Sequence, residues 1–297
     1  GRGPHQIGLA TAPFLLLQGP MRAAGIVAFL TVSLASCQGQ PEPGPDVLFV
    51  SDEEADVVHV VDGRSGAVEG QLKTGQRPRG LALSPDRGTL YVAASESDRI
   101  EPWAPRAPRL VRAYAAGSDP ERFAVAPDGK SLFVANEDVA LLSRLDLASG
   151  RMVWDSEDGP EPEGIAVSPD GSLVVGTAET SSTVHFLDAA TGKSLATALV
   201  GSRPRDVLFL PSRSEIWVSS ELRGTIAIFD AKTLQEKATI DLVPAFPDVE
   251  NVQPVEMEGC VKRGRDPGHQ GRQDQADDLP PTPQSHPGGH RRLCIRA

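Results

Sequence analysis

Charged residues recur in pairs at a fixed spacing along this chain. The pairs flank Pro78, Pro120, Pro162 and Pro204, which lie 42 residues apart, and they are Arg77/Arg79, Asp119/Glu121, Glu161/Glu163 and Arg203/Arg205. A second series with the same step comprises Glu53, Ser95, Glu137, Glu179 and Glu221. Carboxylates bind hard cations such as Ca²⁺, and arginines bind carboxylate or phosphate groups. The predicted ligand- or partner-binding residues are Arg79, Glu121, Glu137, Glu163, Glu179, Arg205 and Glu221, with Glu121, Glu137, Glu163 and Glu179 as candidate Ca²⁺ ligands.

The same charges have an alternative interpretation. They could pair with one another, for example Arg205 with Glu221, and bind nothing else, because structural ion-pair networks resemble functional clusters. No catalytic residue is predicted, since the sequence contains no G-x-S-x-G, H-E-x-x-H, P-loop or C-x-x-C-H motif. His59 and His185 lie three periods apart and are expected to be packed or surface histidines on different repeats.

The elements that must position these charges also repeat. An apolar run such as 165–167 suits a strand buried on both faces, and the Ser-Pro-Asp-Gly at 168–171 predicts a hairpin turn. A second apolar run at 173–175, an alternating third at 183–188 and a more polar fourth at 194–199 complete the unit. Four antiparallel strands in each 42-residue repeat predict an all-β fold, a β-propeller of four-stranded blades.

This arrangement predicts where the charges meet. If the innermost strand of each blade begins at the proline and the second strand returns antiparallel to it, both charged series lie on one face, around the mouth of the central channel. The second repeat is less regular, because the prolines between residues 101 and 108 replace its third strand and turn, so its outer half is expected to be distorted.

Residues 47–257 resemble the YVTN-type β-propeller repeats. The likeness rests on Pro-x-Gly followed by an apolar run, Ser-Pro-Asp-Gly and Leu-Tyr-Val. Glu161-Pro-Glu-Gly164 and Ser202-Arg-Pro-Arg205 resemble the subgroup associated with pyrroloquinoline quinone-dependent alcohol catabolism. The resemblance implies a periplasmic dehydrogenase or cytochrome partner and a ring of seven blades, of which about five are present here. Direct binding of pyrroloquinoline quinone is not expected, because the tryptophans do not recur at one repeat position.

The amino end reads as an export signal. Residues 1–20 carry no repeat feature and are interpreted as upstream, non-native translation, and residues 21–37 as a signal peptide whose apolar stretch is too short to span a bilayer. Leu34-Ala-Ser-Cys37 resembles the lipobox of bacterial lipoproteins, which implies lipidation of Cys37 and a tether at 38–46. Gln38 then favours the outer membrane, on the periplasmic face of the envelope. An ordinary cleaved signal that contains a cysteine is the alternative.

Composition restricts the partners and the carboxyl end. With a net charge of -11 and no basic stripe, the chain is not expected to bind nucleic acid, and it is expected to be a monomer.

The repeat ends at Met257, and the Gly- and Pro-rich residues 258–297 are predicted to be a disordered, out-of-frame tail produced by a frameshift. Such a truncated propeller would be open, unless residues 252–257 supply the missing innermost strand of the first blade and close a five-bladed ring.

Two classes of function remain from the sequence. The first is an exported lipoprotein that acts as a binding or scaffold module, accessory to periplasmic quinoprotein alcohol oxidation, and this non-enzymatic role is favoured. The second is a propeller enzyme, either a lactonase-like hydrolase or a quinoprotein subunit, with a metal at the acidic cluster.

Overall fold

The computed structural model describes residues 47–105, 109–157, 159–247, 249, 251–260 and 293–296. The predictions for the upstream segment 1–20, the signal peptide 21–37 with Cys37, and the linker 38–46 therefore lie outside the described residues. So does the prediction for most of the tail. Within the described part of the chain, no helix has the length and apolar character needed to cross a membrane.

The described residues form an all-β propeller of about five blades, each an antiparallel sheet. Blade 1 contains β1 (Val47–Asp52), β2 (Val57–Asp62) and β3 (Val68–Lys73). Blade 2 contains β4 (Pro78–Leu83), β5 (Leu90–Ala94), β6 (Arg99–Ala104), β7 (Arg109–Leu110) and β8 (Tyr114–Ala115). Blade 3 contains β9 (Pro120–Val125), β10 (Ser131–Asn136), β11 (Leu141–Asp146) and β12 (Arg151–Glu157). Blade 4 contains β13 (Pro162–Val167), β14 (Leu173–Ala178), β15 (Thr183–Asp188) and β16 (Ser194–Leu199). Blade 5 contains β17 (Pro204–Leu210), β18 (Glu215–Ser220), β19 (Thr225–Asp230) and β20 (Glu236–Asp241).

Burial explains the strand patterns of the sequence. β10 and β14 are buried along their whole length, whereas β12 alternates between exposed and partly buried residues. The core lies between neighbouring blades, where Phe186 of blade 4 meets Phe229 of blade 5 with ring centroids 5.3 Å apart. The second strand of a blade therefore has apolar side chains on both faces, because both faces are buried. The outer strand has more buried side chains on one face only.

The Ser-Pro-Asp-Gly segment forms the predicted hairpin turn. The Ser168 hydroxyl donates to Asp170 Oδ1 at 2.6 Å, and the Leu173 N–H donates back to Ser168 Oγ at 2.9 Å. Gly171 has φ +75°, a conformation that glycine adopts without a steric penalty. The hydrogen bonds from the Ser168 hydroxyl and from the N–H and hydroxyl of Ser172 lower the pKa of Asp170 to about 2. Local turn chemistry thus sets where each innermost strand ends.

Blade 2 differs in part from the prediction. The expectation that its prolines replace the third strand is wrong, because β6 runs through Pro102 to Ala104 and pairs with β5 along its length. The predicted distortion of the outer half is confirmed. The outer position is split, with β7 paired at Trp103 and Ala104 and β8 paired at Arg99 and Ile100. The break lies opposite Pro102, which has no N–H to donate to an outer neighbour.

Residues 252–257 do not form the missing innermost strand of blade 1. In the described residues β1 pairs with β2 alone, while β21 (Met257–Cys260) pairs in parallel with β22 (Leu293–Arg296). These two short strands lie within the tail for which composition predicts disorder. The Met257 side chain is buried against blade 5, and its N–H donates to Asp206 Oδ2 at 2.7 Å. This segment therefore packs against blade 5 without joining its sheet.

Candidate functional site

The predicted convergence of the two charged series is confirmed. In four blades, the residue that follows the second strand donates its N–H to the carbonyl of the residue before the proline, at 2.9 to 3.0 Å. The pairs are Ser95 with Arg77, Glu137 with Asp119, Glu179 with Glu161, and Glu221 with Arg203. We call the surface formed by these eight residues, the four residues that follow the prolines (Arg79, Glu121, Glu163 and Arg205) and Glu53 the channel-mouth face.

The backbone before each proline is strained in the same way. Arg77, Asp119, Glu161 and Arg203 all have positive φ, between 50° and 59°, which few residues other than glycine adopt. Side-chain oxygens hold two of these turns, because the Arg77 N–H donates to Asp56 Oδ1 at 2.9 Å and the Asp119 N–H to Asp98 Oδ1 at 3.0 Å. Strain of this kind concentrates at functional sites. Here it directs a charged side chain to the mouth of the channel in four successive blades.

Blades 4 and 5 share an arginine–glutamate network. Arg205 contacts Glu179, and its Nη2 and Nε lie 3.2 Å from Glu163 Oε1 and 3.6 Å from Glu221 Oε2. Arg203 Nε lies 2.8 Å from Glu179 Oε2. The alternative interpretation, in which Arg205 pairs with Glu221, is therefore observed for this half of the face.

The acidic residues of blade 3 form a different group. One ligand oxygen each from Asp119, Glu121 and Glu137 lies within 4.8 Å of the others, and we call these three residues the blade-3 carboxylates. The structure thus joins Glu121 and Glu137 as predicted, but it adds Asp119. Glu163 and Glu179 do not join this group, because they contact Arg205. The predicted four-glutamate metal cluster is wrong in that respect.

Arginines of blade 2 reach one side of this group. Arg79 contacts Glu121, and Arg77 Nη1 lies 3.7 Å from Asp119 Oδ2. The other oxygens, Asp119 Oδ1 and Glu121 Oε2, are buried and have no hydrogen-bond partner. Only 1% of the Glu121 side chain is exposed. Two of the three carboxyl groups therefore each carry one buried oxygen that forms no hydrogen bond.

Burial raises the pKa of three carboxyl groups on the channel-mouth face. Loss of water and the hydrogen-bonded Glu137 carboxyl group together raise the pKa of Glu121 to about 9, although Arg79 opposes the change. Burial also raises the pKa of Asp119 and of Glu163, in the latter case against Arg205 and Arg122. Loss of water therefore disfavours the charged form of the Glu121 carboxyl group.

Two clefts open on this face. The first, of about 660 Å³, is lined by arginines and glutamates together with Leu222 and several hydroxyl side chains. The second, of about 460 Å³, has apolar walls from Phe49, Phe123 and Ile165 and charged residues that include Glu121. Every predicted site residue except Glu221 lines one or both clefts, and Glu221 supports the arginines behind them.

Comparison with known proteins shows the fold. The chain is similar in structure to hydrazine synthase from Kuenenia stuttgartiensis. The two share 24% sequence identity and a TM-score of 0.61, over 73% of this chain and 72% of the other. No protein-family model matches the sequence, and no curated protein matches it either. The comparison therefore supports a β-propeller scaffold and leaves the function to the site.

Sequence reasoning missed Arg122 and Asp206. Arg122 Nε lies 3.7 Å from Glu163 Oε1, and its Nη1 lies 3.5 Å from Asp206 Oδ1. These two residues belong to a third series of period 42, with Gly80 and Gly164 at the equivalent positions. A Cβ on Gly164 would lie 2.8 Å from the Arg205 carbonyl oxygen of the next blade. Glycine at this position thus lets neighbouring innermost strands approach, and the fixed spacing would have revealed it.

The histidines lie away from both clefts, as predicted. His59 Nε2 in β2 is 3.3 Å from Asp52 Oδ2, and His185 Nε2 in β15 is 3.0 Å from Thr183 Oγ1. Burial lowers the pKa of His185. Neither histidine lines one of the two clefts.

Proposed function

We propose that this chain is a non-enzymatic binding module and that its channel-mouth face receives a charged partner. The observation that carries the proposal is the repeated positive-φ turn, which places a charged side chain at the mouth in four blades. Other turns also have positive φ, for example at Ala140, Ser182 and Leu234, but the turn before the proline carries a charged side chain in all four blades.

The face suits a partner with a patterned charge. Arg77 and Arg203 are the more exposed arginines, at 35% and 44%, and acidic residues of blades 3 and 4 lie between them. Alternating charges of this kind select one orientation of a partner and speed its association. A soluble periplasmic dehydrogenase or c-type cytochrome is the partner class that the repeat resemblance suggests.

The setting we propose is the periplasmic side of the bacterial envelope. Support comes from the sequence Leu34-Ala-Ser-Cys37 and the apolar stretch before it. Labelling with a fatty acid tests this, and the Cys37→Ala variant should lose the label. Equal labelling of both proteins would refute the anchor.

The binding role is tested with a matched pair of double variants. R77Q/R203Q removes two positive charges from the face, and R109Q/R151Q removes two from exposed outer strands. Calorimetric titration with a purified quinoprotein dehydrogenase or its cytochrome should show at least about tenfold weaker binding for the first variant alone. High salt should reduce the wild-type affinity. Equal binding by both variants, or no binding by the wild type, would contradict the proposal.

A metal-dependent propeller enzyme is the second candidate. It is favoured by one observation, the group of blade-3 carboxylates. Hydrolysis of lactones that requires Ca²⁺ and is abolished in Glu121→Gln would establish that activity. The binding module predicts no turnover under the same conditions.

A further inference from the structure

The blade-3 carboxylates are held in place by the backbone. Asp119 and Glu121 flank Pro120 at the start of β9, and Glu137 follows the end of β10. The Glu137 N–H donates to the Asp119 carbonyl at 3.0 Å, so the two strand ends are joined. Asp119 is also fixed by its positive φ of 50°. The three carboxyl groups are therefore positioned before any ligand arrives.

Their buried oxygens lack donors. Glu121 Oε2 and Asp119 Oδ1 have no hydrogen-bond partner, although the Glu121 side chain is 99% buried. A buried oxygen without a donor costs free energy, and native proteins rarely leave one unsatisfied. The partner oxygens of the same two carboxyl groups face Arg77 and Arg79. The ion pairs of Arg77 and Arg79 with these two residues therefore use the other carboxyl oxygens, Asp119 Oδ2 and Glu121 Oε1.

The equivalent residues of blade 4 show what normally satisfies such oxygens. Glu161 accepts a hydrogen bond from Thr180, Glu163 contacts Arg205, and Glu179 contacts both Arg203 and Arg205. The arginines come from the following blade. Blade 3 is followed by the acidic blade 4, so its carboxylates receive guanidinium contacts from blade 2 and none from blade 4 among the described residues. Among the described residues, the side of the blade-3 carboxylates towards blade 4 therefore has no arginine contact.

We propose that the blade-3 carboxylates bind one Ca²⁺ ion, with Asp119 Oδ1, Glu121 Oε2 and Glu137 as the protein ligands. Oxygen ligands from carboxylates suit this hard cation, and its variable geometry tolerates ligands from two strand ends and water in the remaining positions. Mg²⁺ demands near-ideal octahedral geometry and is bound less well. Because Arg77 and Arg79 offset two of the three negative charges, we expect a dissociation constant of about 10⁻⁴ to 10⁻³ M, the range of extracellular modules.

The site is tested by titrating Ca²⁺ into chelator-treated full-length protein. Calorimetry should show one site, and the melting temperature should rise with Ca²⁺ up to about 10 mM, because a ligand of the folded state stabilises it. Glu121→Gln and Asp119→Asn should each weaken binding by at least about tenfold. Glu157→Gln, on the exposed outer strand of the same blade, should bind as the wild type does. Asp119→Asn serves alone if Glu121→Gln does not fold.

Three results would overturn the site. They are the absence of both heat and a thermal shift at about 10 mM Ca²⁺, equal binding by the Glu157→Gln control and the two site variants, and an equal response to Mg²⁺.

The ion site lies on the channel-mouth face, but ion binding does not require the proposed protein partner. The titration contains no partner, so its failure leaves the partner-binding experiment intact, and failure of that experiment leaves the ion site intact.

Discussion

Asp206 provides a quantitative test of how the innermost strands are held. Its side chain at the start of β17 is 13% exposed, accepts the Met257 N–H and lies 3.5 Å from Arg122 Nη1. Burial raises the pKa of Asp206 from its ordinary value of 3.8 to about 6, although Arg122 opposes the change. The folded protein therefore binds this proton more tightly than the unfolded chain does.

The sign of the pH dependence follows from that difference. The stabilisation from the bound proton is fully present below pH 3.8, and it is lost as the pH rises through about 6. The difference between the two pKa values corresponds to about 3 kcal/mol. Asp206→Asn cannot ionise and retains a carbonyl oxygen for the Met257 N–H. The stability of the wild type minus that of the variant should fall by about 2 kcal/mol between pH 4 and pH 7.

Urea unfolding followed by tryptophan fluorescence measures this difference across the pH range. Asp128→Asn, which removes a charge from an exposed turn, is the matched control for the loss of one carboxylate. A constant difference between the wild type and Asp206→Asn would refute the assignment of a raised pKa to this buried carboxyl. So would a difference that grows with pH.

Two further substitutions test the packing between blades. Gly164→Ala should lower the unfolding free energy by about 1 to 3 kcal/mol, because its Cβ would meet the next innermost strand, whereas Gly70→Ala enters open space and should not. Phe186→Ala removes a fully buried ring that packs on Phe229 and should cost about 3 to 5 kcal/mol, whereas Leu195→Ala, at a site 52% exposed, should cost far less. Denaturant unfolding measures both pairs, and equal losses within a pair would contradict the packing described.

The repeated elements could be predicted from the sequence because their causes are local. Ser168 and Asp170 form a hydrogen bond within a single turn. The apolar run 173–175 lies in a strand that is buried on both faces, whatever the position of its blade in the ring. Pro102 was a misleading signal. A missing N–H disturbs one side of a strand, and β6 tolerates it because its other side pairs with β5.

The charge pairing was harder to predict because it depends on the contact between blades. Residues at equivalent positions in neighbouring innermost strands meet, so Arg79 reaches Glu121 and Arg205 reaches Glu163, in each case 42 residues away. Sequence reasoning placed these side chains on one face but did not pair them across blades. It therefore assigned Glu163 to a metal cluster and left Asp119 out of it.

The central claim about this site is that the blade-3 carboxylates bind a cation and are not only part of a network of ion pairs. Crystals grown with Ca²⁺ and measured for its anomalous scattering test that claim most directly. We predict one peak bounded by Asp119 Oδ1, Glu121 Oε2 and Glu137, with the Arg205 contacts to Glu163 and Glu179 unchanged. A map without a peak there, in which an arginine or water hydrogen-bonds to both unsatisfied oxygens, would contradict it.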